Sequence, residues 1–218
     1  LSLRRQRQMC IRDRSEAIEV VQKPVKKKAS SEDWADALGP TKKVVEEEPT
    51  FDIEAMVSGH NEWLASGGTS GTKAVLEGLD LSGAQMQGVN LSGATMRNII
   101  LSTANLRQAI LQSVDFRGSV LTGADLTDGD LTSSNMRRVD LSTAKLKNTK
   151  LAGTDLAGSS LRGADLSGTD MRGANLLDAD IASTDMSAAT GLVQTQINKA
   201  RPNAHTVLPP GIRRPATE

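Results

Sequence analysis

A five-residue pattern runs without insertion or deletion from residue 74 to residue 188 of this 218-residue chain. It comprises 23 units, and the central residue of each unit, which we call position i, is Leu in sixteen units and Met in five. Position i−2 is mostly small or β-branched, position i−1 is mostly Asp or Asn, and position i+2 is Gly in eleven units. Helices repeat every 3.6 residues and strands every two, so neither explains a period of five.

The pattern predicts a coil with short straight sides. In an extended segment the residues at i−2 and i share one face, while those at i−1 and i+1 point the other way. A bend at i+2 then restarts the pattern, so the large i and the small i−2 side chains face one narrow interior. All seven prolines lie outside residues 50–201, which favours continuous β-pairing in the middle because proline cannot donate to a ladder.

The units resemble the A(D/N)LXX motif of the pentapeptide-repeat family. This resemblance covers just over half of the chain and implies an all-β fold, a right-handed quadrilateral β-helix (a solenoid) with four units per coil. Residues 60–76 are similar to the helix-and-turn entry of some members, and residues 192–212 to their closing helix and strand. The units that show the motif best are ADLTD (124–128), ANLRQ (104–108), ADLSG (164–168) and ANLLD (174–178).

Four units per coil predict that residues twenty apart stack in columns. Phe116 then falls between two methionines, which are adaptable neighbours for a ring. The same coil has Ser119, Ala124 and Gly129 at its small positions, which leaves room for the ring and supports this register. The predicted interior column is Leu76, Met96, Phe116, Met136, Leu156 and Leu176.

Two segments precede the repeat and its caps. Residues 1–14 lack apolar periodicity and resemble translated adapter sequence from metagenomic assemblies, so we expect them to be non-native. Residues 15–50 are a charged linker, predicted to be disordered, with like-charge blocks at 23–28 (KPVKKK) and 46–48 (EEE). Within it, residues 30–39 predict a short helix that docks on a partner or on the protein's own body.

The remaining flanks are predicted to cover the ends of the coil, where unpaired strand edges would otherwise be exposed. Residues 51–73 predict a capping helix and turn, and residues 189–218 a C-terminal helix and strand cap with a tail. His60 lies on the apolar stripe of the helix, which favours a packed or hydrogen-bonded residue over a ligand. The capping role accounts for Trp63, Leu64, Leu192, Ile197, Val207 and Leu208 without a ligand.

Catalytic signatures are missing from the sequence. The chain has one Cys, two His and no Tyr, and it has no phosphate loop, nucleophile elbow or HExxH motif. Its many carboxylates follow the five-residue spacing, which marks them as structural. We therefore expect no enzyme activity, catalytic residue, cofactor or metal. No run approaches the ~20 apolar residues of a membrane span, and we expect a cytoplasmic protein.

One basic cluster departs from the repeat pattern. Three arginines fall twenty apart at i+1 with a fourth beside them, and two aliphatic residues replace Asp or Asn around the next corner. Such a surface suits an acidic partner, a phosphate-bearing ligand or the chain's own EEE segment. The competing interpretation is that Asp115, Asn135 and Asp155 neutralise the arginines. The candidate interaction surface is Arg97, Arg117, Arg137, Arg138, Ile100 and Val120.

The main functional hypothesis is a rigid, non-catalytic platform for interaction with a protein partner that the sequence does not identify. The resemblance also implies an alternative, a DNA-mimicking modulator of gyrase. A DNA mimic needs a strongly acidic surface, whereas residues 74–188 carry 10 basic against 13 acidic residues. Lysines also interrupt their acidic columns, predicting the ladders Asp125–Lys145–Asp165 and Asp130–Lys150–Asp170. The other alternative is an anion or nucleic-acid binder through the arginines, although balanced overall charge disfavours nucleic acid.

Overall fold

The computed structural model describes residues 51–215. The predictions for residues 1–14 and 15–50, including the helix at 30–39, lie outside the described residues. Helix α1 spans Ile53–Ala65 and helix α2 spans Gln194–Ile197. Between the two helices the chain pairs with itself only through isolated parallel β-bridges.

The bridges show how the repeat winds. Twenty of them each join residues that are twenty apart. Four five-residue units therefore complete one coil, in the register that the sequence predicts. Hydrogen bonds run in both directions between coils: the N–H of Thr95 donates to the carbonyl oxygen of Ala74 at 3.0 Å, and its carbonyl oxygen accepts from Leu76 at 2.7 Å.

Each corner of the coil is a tight turn with a left-handed residue at i+2. The angle φ is positive at every i+2 position from Gly78 to Ser183, whether or not the residue is glycine. The N–H that follows closes the turn onto the carbonyl oxygen of residue i, as from Ala84 to Leu81 at 3.1 Å. A positive φ at the third residue is typical of type II turns, which explains why glycine is so common there.

Asp and Asn recur at i−1 because their side chains stabilise the same corners. Oδ1 of Asp80 accepts the backbone N–H of Ser82 at 3.0 Å, and Oδ1 of Asn90 accepts that of Ser92 at 3.1 Å. The hydroxyl and the N–H of Ser82 hold the pKa of Asp80 below its usual range. These carboxylates are therefore part of the turn, as expected for side chains that bond their own backbone two residues on.

The interior holds the predicted column. Bridges at Asp115 to Thr95 and to Asn135 set Phe116 between Met96 and Met136. Within residues 51–215, every fully buried side-chain nitrogen or oxygen has a hydrogen-bond partner. Each member of the column is at most 1% exposed: Leu76, Met96, Phe116, Met136, Leu156 and Leu176.

Helix α1 lies on the N-terminal end of the coil. Asp52 caps it, since its side chain accepts the N–H of Ala55 at 2.9 Å. His60 is completely buried and hydrogen-bonded to backbone groups, which confirms that it is a structural residue. The apolar side chains that pack against the core are Phe51, Ile53, Met56 and Val57.

Helix α2 lies against the other end. Ile197 is fully buried, and Gln196 donates from Nε2 to the carbonyl oxygens of Met171 and Ala174 at 2.9 and 2.8 Å. The carbonyl oxygen of Ala174 is one that a further coil would have reached, whereas that of Met171 also accepts the N–H of Ala174 at 3.1 Å.

The last bridges depart from the repeat register. Asp180 pairs with Arg201 and Asp185 with Val207, which are 21 and 22 residues away. Val207 covers the strand edge at Asp185 through its backbone, donating to Thr184 at 2.9 Å and accepting from Met186 at 2.8 Å. The residue itself stays 47% exposed.

Candidate interaction surface

An open groove of about 470 Å³ crosses three successive coils of the repeat. Four of its six lining residues belong to the surface that the sequence predicts. Successive coils are ~4.8 Å apart in such stacks, so the side chains of one column recur at that interval. The lining residues, which we call the arginine groove, are Arg97, Asn98, Arg117, Gly118, Arg137 and Arg138.

Asp115 fixes two of the guanidinium groups. It accepts hydrogen bonds from Nε and Nη2 of Arg117 at 2.9 and 2.8 Å, and from Nε of Arg97 at 2.7 Å. Burial raises the pKa of this carboxyl, but the hydrogen bonds from Arg117 and Arg97 outweigh burial and lower the pKa to about 2. The carboxylate is therefore ionised at neutral pH and orients both arginines.

The other cations of the groove are held less tightly. Arg137 reaches Asp155 through Nη1 at 3.3 Å and is 52% exposed. Arg138 makes no ion pair with any residue in the range 51–215. Asn135 does not neutralise a guanidinium, because its Oδ1 accepts the backbone N–H of Arg137 at 3.3 Å.

Carboxylates therefore neutralise the groove only in part. Its four arginines face Asp115, Asp155 and Glu77, and Oε1 of Glu77 lies 3.9 Å from Nη1 of Arg97. Each guanidinium has five N–H donors, and the bonds described above use at most two of them per arginine. The surface thus keeps guanidinium donors that no described residue uses.

The floor of the groove depends on a missing side chain, which the sequence analysis did not single out. Gly118 has φ +70°, and a Cβ atom there would lie 2.5 Å from Oδ1 of Asn98. Two coils further along the same column, a Cβ atom at Gly158 would lie 3.7 Å from Cγ of Arg138, which is an ordinary contact. The signal that would have revealed it is the strict alternation of glycine with a larger residue down this column, from Gly78 onward.

The aliphatic pair lies one corner away from the arginines. Ile100 and Val120 form a bridge to each other, with Ile100 38% exposed and Val120 half-buried. They follow Arg97 and Arg117 by three residues each, so two apolar side chains stack beside two of the cations. The structure therefore brings all six residues of the predicted surface onto neighbouring columns.

Close ion pairs form only in the first half of each predicted lysine ladder. Nζ of Lys145 lies 3.7 Å from Asp125, and Nζ of Lys150 lies 3.3 Å from Asp130. Among the described residues neither lysine pairs with the aspartate of the following coil. Asp170 is instead held by Arg172, two residues away, at 2.6 to 3.0 Å. The backbone bridges nevertheless continue from Lys145 to Asp165 and from Lys150 to Asp170, so both predicted columns are present, with a close ion pair in the first half only.

Two further features are absent from the described part of the chain. No group of three or more His, Cys, Asp or Glu in residues 51–215 is arranged to hold a metal ion. Neither helix in this range is long and apolar enough to cross a membrane.

Comparison with known proteins identifies similar chains. Eight copies of the family model described as pentapeptide repeats match residues 72–98, 99–138 and 140–178. The structure of the pentapeptide repeat protein Rfr23, from the cyanobacterium Cyanothece 51142, is 21% identical over 62% of this chain and 88% of its own, with a TM-score of 0.41. No curated protein matches the chain.

Two further solved structures show the range of these similarities. QnrB1, a plasmid-mediated fluoroquinolone resistance protein, is 17% identical over 61% of this chain and 91% of its own, with a TM-score of 0.38. A protein from the thylakoid lumen of Arabidopsis thaliana is 31% identical over 50% of this chain and 68% of its own, with a TM-score of 0.25.

Proposed function

Because the chain belongs to the pentapeptide-repeat family, we propose that residues 74–188 form a right-handed quadrilateral β-helix that acts as a non-catalytic platform for protein–protein interaction. Bridges at twenty-residue spacing support the four-sided coil. Helices α1 and α2 pack at its two ends, which leaves the sides of the rod as the surfaces on which a partner binds.

The arginine groove carries this proposal. Three of its four guanidinium groups are oriented by Asp115 and Asp155 before any partner arrives, so less side-chain freedom is lost on binding. The planar fork of arginine matches a carboxylate in a bidentate way. An acidic protein segment is the ligand that this arrangement supports best.

The two alternatives have weaker support. A DNA mimic would present rows of unpaired carboxylates, whereas Asp115, Asp130 and Asp170 are each bound by a neighbouring cation. A nucleic-acid site would gain its affinity from many phosphate contacts, but the groove has only one more cation than it has carboxylates.

Affinity capture tests the proposal. The immobilised full chain is exposed to a lysate of its source cells, and the bound proteins are compared with those bound by the Arg117→Gln/Arg138→Gln variant. We expect the variant to lose an acidic partner. Arg172→Gln is the matched control, because Arg172 makes the same paired contact with Asp170 in another column. Identical sets of captured proteins for the wild type and the double variant would contradict the proposal.

A further inference from the structure

The chain itself contains a segment with the chemistry that the arginine groove calls for. Residues 44–48 are Val-Val-Glu-Glu-Glu, the only run of three acidic residues in the sequence. We propose that this segment binds in the arginine groove of its own chain, so that an outside partner has to displace it. The inference rests on the proposed function, since the groove must first accept an acidic ligand.

The charge of the segment is opposite in sign to the excess charge of the groove, and its length allows it to lie across more than one coil. The three glutamates bring three negative charges to a groove in which Arg138 has no ion pair within residues 51–215 and Arg137 is half exposed. In an extended segment Glu46 and Glu48 share one side and lie ~7 Å apart. That distance falls within the ~10 Å that separates the first and third coils of the groove.

The order of apolar and acidic residues in the segment matches the aliphatic pair that lies beside the groove. Val44 and Val45 come directly before the glutamates, and the aliphatic pair Ile100 and Val120 stacks one corner away from the arginines. Contact between these side chains removes apolar surface from water at ~25 cal/mol per Å². A purely anionic ligand would leave the aliphatic pair uncovered.

A short tether joins the segment to the N-terminal end of the coil. Four residues separate Glu48 from Ile53, the first residue of α1. The five steps between them span at most ~17 Å. Helix α1 contacts the first coil through His60 and Ala74, and Arg97 belongs to the second coil, ~4.8 Å further along the rod.

The tether makes weak contacts effective. An exposed ion pair contributes only ~0.2–1 kcal/mol, so a free acidic peptide binds weakly. A short tether supplies the same peptide at an effective concentration in the millimolar range. The segment therefore occupies the groove for much of the time and still yields to a partner that offers better contacts.

The test uses a fluorescein-labelled peptide, VVEEEPT, that copies residues 44–50, and measures its binding to the full-length chain by fluorescence anisotropy. In the Glu46→Gln/Glu47→Gln/Glu48→Gln variant the groove is vacated. We expect that variant to bind the peptide roughly tenfold more tightly than the wild type does, since occupancy raises the apparent Kd by the reciprocal of the open fraction. Adding Arg117→Gln/Arg138→Gln should abolish binding, whereas adding Arg172→Gln should not.

The outcomes separate this inference from the proposed function. Equal affinity of the wild type and the triple variant would overturn the intramolecular contact and leave the acidic-partner proposal standing. No binding to either protein would overturn both. A peptide with Ser in place of both valines should bind severalfold more weakly, and unchanged affinity would remove the aliphatic pair from the site. An oligonucleotide that outcompetes the peptide would assign the groove to nucleic acid and overturn the inference.

Discussion

Nε2 of His60 lies 3.2 Å from the carbonyl oxygen of Ser92 in the first coil. The other ring nitrogen, Nδ1, accepts the N–H of Ala74 at 3.0 Å. Both bonds can form only when the imidazole is neutral with its hydrogen on Nε2. The ring stacks on Trp63 at 5.4 Å between centroids, and the ammonium of Lys73 lies 5.6 Å from the Trp63 ring. A neutral histidine therefore joins α1 to the repeat.

Acid should weaken this attachment. Burial and the charge of Lys73 lower the pKa of His60, although the bond to Ser92 acts in the opposite direction. Because the pKa is lower in the folded than in the unfolded protein, the stability that this group contributes is present above pH ~6.5 and is lost as the pH falls below it. Urea unfolding should thus show a falling free energy between pH 7.5 and pH 5.

Substitution of His60 tests whether its ring causes this pH dependence of stability. His60→Gln should lower the free energy of unfolding at pH 7.5 by about 1–3 kcal/mol, the cost of leaving buried groups unsatisfied, and should flatten the dependence on pH. His205→Gln is the control, because His205 is exposed. If His60→Gln kept the wild-type slope, the ring would not be the titrating group.

The sequence predicted the role of His60 but not its partners. The helical stripe and the lack of a second ligand candidate sufficed to favour a packed residue over a metal ligand. The partners are backbone groups of Ala74 and Ser92, eighteen positions apart in the chain. They depend on where α1 lies across the end of the coil, which no local pattern encodes.

The ring of Phe116 should be the most costly interior side chain to truncate. It is fully buried between Met96 and Met136. We expect Phe116→Ala to reduce the free energy of unfolding by about 3–5 kcal/mol, because methionines on both sides only partly fill the cavity. Phe116→Leu, which keeps most of the volume, should cost clearly less. A chemical unfolding midpoint unchanged by Phe116→Ala would be incompatible with this packing.

The repeat determines the coil register, and the spacing of twenty residues between paired residues is lost where the repeat ends. Unbroken units predict pairing at a distance of twenty residues, which holds as far as the bridge between Asp170 and Thr190. Beyond that, α2 interrupts the period, and the bridges at Arg201 and Val207 shift to 21 and 22 residues. The length of the inserted turn sets these pairs, so periodicity could not predict them.

Spacing also predicted which arginines stack and that Asp115 and Asp155 lie beside them, but not how the arginines are shared between these carboxylates. Asp115 lies within reach of Arg97 in one coil and Arg117 in its own, and it takes both. Exposed ion pairs differ by less than about 1 kcal/mol, so the choice among several carboxylates follows side-chain geometry. The same reason explains why Lys150 pairs with Asp130 and not with Asp170.

Gly118 should resist substitution more than a glycine in an open corner. Gly118→Ala places a residue at φ +70° and brings its Cβ within 2.5 Å of the amide of Asn98. Gly83 has the same φ with nothing within 4 Å, so Gly83→Ala should show only the backbone strain of ~1–2 kcal/mol. Oδ1 is the end of an exposed side chain that can rotate away, so we expect Gly118→Ala to cost only slightly more than that in thermal or urea unfolding.

A double variant identifies the cause. Asn98→Gly removes the amide and should bring the cost of Gly118→Ala close to that of Gly83→Ala. A loss for Gly118→Ala that stayed well above that of Gly83→Ala in the Asn98→Gly background would show that the Asn98 amide is not the cause.

Asp115 should contribute to stability in a defined pH range. Its pKa is lowered from 3.8 to about 2 and its side chain is 20% exposed. A depressed folded pKa means that the contribution is fully present above pH ~4 and is lost as the pH falls through the folded pKa. At 1.36 kcal/mol per pH unit, the contribution is about 2 kcal/mol.

Comparison with Asp115→Asn isolates this contribution. The variant should be less stable than the wild type by about 2 kcal/mol at pH 6, and the difference should shrink as unfolding is measured toward pH 2.5. Asp178→Asn is the control, because that carboxylate is 59% exposed and its pair with Arg201 lies in solvent, so it should change stability by less than about 1 kcal/mol. A difference for Asp115→Asn that stayed constant down to pH 2.5 would mean that the two arginines do not hold this carboxylate in its charged form.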